Sequence, residues 1–87
     1  MIVTVEFFGI PRERTKLSKV IVEGARLDEV FRELEEQFPD LAQACLQDGR
    51  LREGFAANLN GERFVSDPAT EMQLGDSLLI MTADAGG

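Results

Sequence analysis

The sequence predicts an α+β domain, a mixed β-sheet with one main helix packed on one face. Three observations carry this. Hydrophobicity alternates with a period of two near both ends, over residues 2–8 and 78–82. Between them, Leu27, Val30, Phe31, Leu34 and Phe38 recur at helical spacing. A chain of 87 residues buries only about two-thirds of its unfolded surface, so it builds one modest core and a single domain, 1–87.

Residues 2–8 are rich in β-branched and aromatic side chains and read as a strand. Alternation puts Val3, Val5 and Phe7 on one face and Thr4, Glu6 and Phe8 on the other. Residues 9–16 hold a glycine, a proline and four charges, which predicts a turn or loop. A second strand is expected over 17–23, with Val20 and Val22 opposite Lys19 and Ile21, closing a hairpin whose turn is longer than the tightest kind. The helix over 27–38 carries Asp28 and Glu29 in its first turn, where the dipole favours acids, and Pro39 stops it. Its outward face, with Glu29, Arg32, Glu33, Glu35 and Glu36, reads as a solvated surface.

Residues 41–46 predict a further short helical turn, and the polar stretch 47–54 with its two glycines predicts a loop. A strand follows over 55–60, with Phe55, Ala57 and Leu59 in one phase. Asn60-Gly61 signals a hairpin turn and Phe64-Val65 a brief returning strand. Asp67-Pro68 and Leu74-Gly75-Asp76 are turn chemistry. Residues 78–82 form the last strand, and a flexible tail is expected over 83–87. A hairpin, a crossover helix and more strands, with the first and last strands parallel at the centre, make a β-grasp.

Nine basic residues stand against sixteen acidic ones, a net charge of −7. That argues against nucleic acid, whose binding rests on phosphate neutralisation, and fits either a basic partner protein or simple solubility. No apolar run approaches the roughly 20 residues that cross a bilayer, so no membrane partner is expected. The first residues lack a basic region and include Glu6, unlike a signal peptide, which makes the cytoplasm the default location. There is no histidine, tryptophan or tyrosine and a single cysteine. His-based triads, His-containing metal sites and an internal disulfide are thereby removed, and no metal site or bound cofactor is expected. Cys45, in an apolar helical stretch, reads as a buried structural thiol, with a reactive thiol as the alternative.

The remaining candidate is the terminal Gly86-Gly87. By itself such a pair also describes a frayed end. Here it follows an apolar strand and the small residues Ala83-Asp84-Ala85, so it can thread a narrow channel and present the Gly87 carboxylate inside another protein.

Taken in order, several segments resemble a known family. Val3-Thr4-Val5-Glu6-Phe7-Phe8-Gly9 followed by Arg12-Glu13 is similar to the start of the small subunit of molybdopterin synthase. Leu59-Asn60-Gly61-Glu62, Leu74-Gly75-Asp76-Ser77-Leu78 and Gly86-Gly87 match the wider MoaD/ThiS family of ubiquitin-like sulfur carriers. The resemblance implies a ubiquitin-like β-grasp and a C-terminal thiocarboxylate. It implies that an ATP-using, ubiquitin-activating-type enzyme adenylates Gly87, and that sulfur from a cysteine desulfurase or rhodanese-like donor replaces AMP. In the molybdopterin branch the charged tail then enters the large subunit of the synthase and sulfurates cyclic pyranopterin monophosphate. Carried over, Gly87 bears the adenylate and then the sulfur, while Ala83, Asp84, Ala85 and Gly86 line the threaded tail. Phe8, Phe64 and Met81 match the family's apolar docking patch; their alternative role is to cap the edge of the core.

The chain departs from the family in places. It lacks a Pro-Pro step before the glycines, carries an acid at Asp84, and starts its helix from Gly24-Ala25-Arg26 without a Ser or Thr cap. Molybdopterin, thiamine, cysteine and tungsten-cofactor assembly stay open as pathways. So do two other readings: a ubiquitin-like modifier conjugated through Gly87, and a β-grasp interaction domain with an incidental Gly-Gly. Independent catalysis is disfavoured, since only surface carboxylates are left for acid–base work.

Overall fold

A computed structural model describes residues 1–83. In chain order the elements are β1 (Ile2–Phe8), α1 (Ile10–Thr15), β2 (Lys19–Glu23), α2 (Leu27–Gln37), α3 (Pro39–Cys45), β3 (Leu46–Gln47), β4 (Arg50–Leu51), β5 (Phe55–Leu59), β6 (Arg63–Val65) and β7 (Ser77–Thr82). Five strands form one mixed sheet in the order β2-β1-β7-β5-β6, and β3 pairs with β4 in a separate hairpin. β1 and β7 run parallel at the centre, and every other pairing is antiparallel. This is the α+β β-grasp arrangement that the alternation and the helical stripe predict, and the ubiquitin-like fold that the resemblance implies.

One face of the sheet is buried. Val3, Val5 and Phe7 of β1, Ala57 and Leu59 of β5, and Leu78 and Ile80 of β7 pack against Leu27, Val30, Phe31 and Leu34 of α2. The α2 stripe is thus the one read from the spacing. Phe38 is partly buried and meets Phe7 edge-on, with ring centroids 6.1 Å apart. Arg26 caps α2 without a side-chain hydrogen bond. The backbone supplies what a Ser or Thr cap otherwise gives: Leu27 and Asp28 donate their N–H groups to the carbonyls of Thr70 and Pro68. The Glu29 carboxylate reaches back to accept from the Ala25 N–H at 2.9 Å.

The structure corrects two of the sequence expectations. Residues 9–16 are not a loop: Ile10–Thr15 form α1, with Pro11 in its first turn, where the missing N–H costs nothing. Residues 47–54 are likewise not all loop, because Leu46 and Gln47 pair with Leu51 and Arg50 across Asp48-Gly49. Both turn residues have positive φ, 53° and 74°, the signature of a tight type I′ connection. Pro39 does stop α2, and it also opens α3 in a first-turn position. Smaller shifts move the start of β2 from residue 17 to Lys19 and the start of β7 from residue 78 to Ser77.

Candidate protein-docking face and tail exit

Among the described residues no helix covers the second face of the sheet, and this face carries the predicted docking residues. Phe8 and Met81 are register partners in the parallel β1–β7 pair, and Met81 is in turn opposite Ala56 in β5. Their side chains therefore share one row on the outer face, because facing residues in a ladder project to the same side. Phe8 is 62% exposed, and Met81 is half-buried. An aromatic this exposed is not capping the core, so the core-edge alternative fails for Phe8.

Phe64 lies on the same face, on the edge strand β6, where it is opposite Asn58 and 65% exposed. It is not a direct neighbour of Phe8 and Met81. It belongs to the next row, which reads Glu6, Leu79, Asn58, Phe64 across four strands. A shallow groove of about 220 Å³, whose lining includes Phe55, Ala56, Phe64 and Ser66, runs beside it. The structure thus brings all three predicted residues to one face and adds Leu79 and Ala56 between them. Leu79 was within reach of sequence reasoning, since it alternates with the buried Leu78 and Ile80 just as Met81 does.

The row also contains a polar feature that no sequence signal announces. The Asn58 Oδ1 atom is buried without a hydrogen-bond partner among the described residues. Asn58, Asn60, Ser77, Leu79 and Glu6 line an open depression of about 360 Å³. One end of it is rigid. Asn60 donates through Nδ2 to Asp76 Oδ1 at 2.9 Å and accepts at Oδ1 from the Ser77 N–H at 2.8 Å. The Gln73 N–H donates to Asp76 Oδ2 at 2.7 Å. These bonds lock the β5–β6 turn to the start of β7 and hold Asp76, the one buried charged residue among the described residues.

At the other end of β7 the chain leaves the sheet under constraint. The Thr82 hydroxyl accepts from the Ile10 N–H at 3.2 Å, and the Ala83 N–H donates to the Gly54 carbonyl at 2.8 Å. Two connections, one after β1 and one before β5, so fix the direction in which the chain departs. Ala83 is exposed. Asp84, Ala85, Gly86 and Gly87 lie outside the described residues.

Cys45 is fully buried. Burial pushes its thiol up to about 11, although the charges of Arg14 and Arg52 pull the other way. A thiol held neutral in the core is no nucleophile, as the sequence predicts. Among the described residues no group of three His, Cys, Asp or Glu side chains is placed to hold a metal ion, and no helix is long and apolar enough to cross a membrane.

No curated protein matches the chain in sequence, but solved structures do. It is similar to the modifier protein SAMP1 of Haloferax volcanii, with a TM-score of 0.80, 21% identity and 100% of both chains covered. It is similar to a chain in the BexX/CysO complex of Amycolatopsis orientalis, with a TM-score of 0.77 and 27% identity over 98% of this chain and 99% of that one. A third likeness is to a chain in the complex of subunits 1 and 2 of the molybdopterin-converting factor of Helicobacter pylori 26695, with a TM-score of 0.69, 22% identity and 100% of both chains covered. The ThiS family itself matches residues 5–87, nearly the whole sequence. With its β-grasp fold and an apolar sheet face beside the strand that leads into Gly86-Gly87, the chain belongs to the ThiS family of ubiquitin-like sulfur carriers.

Proposed function

We propose that the chain carries sulfur as a thiocarboxylate on Gly87 and delivers it to a synthase subunit docked on the Phe8–Met81 face. An ATP-dependent enzyme of the ubiquitin-activating type joins the Gly87 carboxylate to AMP with release of pyrophosphate. The persulfide of a cysteine desulfurase or rhodanese-like donor then attacks the adenylate and displaces AMP, and a thiol reductant cleaves the acyl disulfide so formed to leave the Gly87 thiocarboxylate. The carrier binds no cofactor of its own, because ATP belongs to the activating enzyme. Dependence on ATP puts this work in the cytoplasm.

The observation that carries the reading is the register of β1 against β7. It sets an exposed aromatic, Phe8, beside Met81 on the strand whose continuation holds Gly86-Gly87. A partner seated on that row lies beside the end of β7, where the bonds at Thr82 and Ala83 hold the chain. Complexes of CysO with BexX and of the two converting-factor subunits support a protein partner of this sort. Molybdopterin assembly is the reaction the sequence resemblance favours, with the thiamine, cysteine and tungsten-cofactor pathways as its sisters.

The test compares a chain ending at Gly87 with one extended by a single residue, in adenylation by the cognate activating enzyme. One residue displaces the carboxylate by about 3.3–3.6 Å, and misplacement of that size costs a reaction orders of magnitude. The extended carrier should fold normally by circular dichroism and fail to be adenylated. Normal adenylation of the extended form without trimming overturns the proposal. Mass spectrometry of carrier from cells should show one oxygen replaced by sulfur, whereas lysine conjugates would mark a modifier.

A further inference from the structure

β2 is an edge strand of the sheet, and its free side is complementary to itself. At the two ends of the β1–β2 pairing, Phe7 donates its N–H to the Ser18 carbonyl and Gly24 donates to the Met1 carbonyl, both at 2.9 Å. Hydrogen-bonded and non-bonded pairs alternate along an antiparallel ladder. Val5↔Val20 and Val3↔Val22 are therefore the bonded pairs, and Lys19, Ile21 and Glu23 turn their backbone N–H and C=O groups away from β1. Those groups have no partner among the described residues. The three side chains stand on the outer face, and Ile21 is 64% exposed.

We propose that this edge pairs with β2 of a second copy, antiparallel and centred on Ile21. Lys-Val-Ile-Val-Glu, set against its own reverse, places Lys19 opposite Glu23 of the second copy, Val20 opposite Val22, and Ile21 opposite Ile21. Every outward-facing backbone group then meets a group that points back at it, so each facing pair exchanges both N–H···O bonds. Two ion pairs form on the outer face, and the two Ile21 side chains meet between them. A slip of one residue mismatches the hydrogen-bonding groups. A slip of two restores them but sets Ile21 against a charged side chain and loses both ion pairs. Only one register satisfies backbone, charge and apolar contact together.

Pairing of this kind is isologous, with its two-fold axis normal to the sheet. The result is one continuous sheet in which both Phe8–Met81 rows lie on the same side and stay open to a partner. A five-residue strand buries less than the roughly 1,200 Å² of a standard interface, so the dimer is weak, with a dissociation constant on the order of 100 µM.

Sedimentation velocity from about 10 µM to about 1 mM brackets that value. The wild-type chain should shift from monomer to dimer across the range. Lys19→Glu and Glu23→Lys each turn two attractive pairs into repulsive ones and should weaken association about tenfold or more. The double variant Lys19→Glu/Glu23→Lys keeps the net charge and should associate as the wild type does. An equimolar mixture of the two single variants should form a heterodimer about as tight as the wild-type dimer and tighter than either variant pairs with itself, with circular dichroism showing both folded. A wild-type chain that stays monomeric at the highest concentration overturns the proposal. So does a single reversal that leaves the dissociation constant unchanged, or a mixture of the single variants that associates no more tightly than each variant alone.

Discussion

Gly9 ties the first strand to the last. It sits at φ +74° and ψ −134°, a region open to glycine and closed to other residues. A Cβ there would also lie 2.7 Å from the Thr82 hydroxyl oxygen, the atom that accepts the Ile10 N–H. Gly9→Ala should therefore lower stability in urea by about 1–3 kcal/mol, and part of that loss should vanish in a Thr82→Ala background, where the clash is absent. Equal losses in both backgrounds would leave backbone strain as the whole cost. Cys45 makes a second residue-scale prediction, in pH. The unfolded thiol ionises near 9.0, while the native one holds its proton to about 11. In that window the native chain binds more protons than the unfolded one, so stability falls as pH rises from about 9 to about 11. The urea midpoint should drop across the window in the wild type and drop less in Cys45→Ala. Below pH 9, native Cys45 should react with alkylating reagents only as fast as the chain opens.

Elements were legible in proportion to their length and periodicity. Five apolar positions at helical spacing define the α2 stripe, and its outcome differs from expectation by one residue at the C-terminus. Leu34, with no exposed surface, lies on that stripe, and Leu34→Ala should cost about 2–5 kcal/mol in equilibrium unfolding. A loss under about 1 kcal/mol would mean the stripe does not face the core. The two segments that differ from expectation are short, and each holds residues that commonly break regular structure. Gly9 and Pro11 predict a loop over 9–16, yet a proline in a first turn starts a helix as readily as a later one ends it. Asp48-Gly49 carried a hairpin signal as strong as Asn60-Gly61, but its strands are two residues each, too short for alternation to appear. The partners that satisfy the first turn of α2 come from residues 68 and 70, a distance no local pattern reports. The same holds for the tail exit, where Ile10 and Thr82 are 72 residues apart.

At the scale of the whole molecule the sheet divides the chain's work between its faces. The inner face holds the core and sets stability, whereas the outer face carries no helix and leaves Phe8 and Phe64 exposed. Alternation alone placed Phe8 and Met81 on that outer face. What it did not give was adjacency: only the parallel register makes them neighbours and puts Phe64 one row away. This division predicts that binding and folding respond to different substitutions. Phe8→Ala removes an exposed ring, so the unfolding midpoint should change little, within the range of about 0.5 kcal/mol usual for surface changes. An aromatic anchor at the centre of an interface is commonly worth about 2 kcal/mol or more, so affinity for the partner should fall about thirtyfold. Phe64→Ala, at the rim, should cost less than Phe8→Ala, since anchors near the centre of an interface dominate over the surrounding contacts. Leu34→Ala provides the opposite control, with lowered stability but unchanged affinity wherever the protein is still folded. Titration calorimetry beside urea denaturation on these three variants reads both quantities. If Phe8→Ala binds as the wild type does and instead unfolds early, Phe8 serves the fold and the docking face lies elsewhere on the molecule.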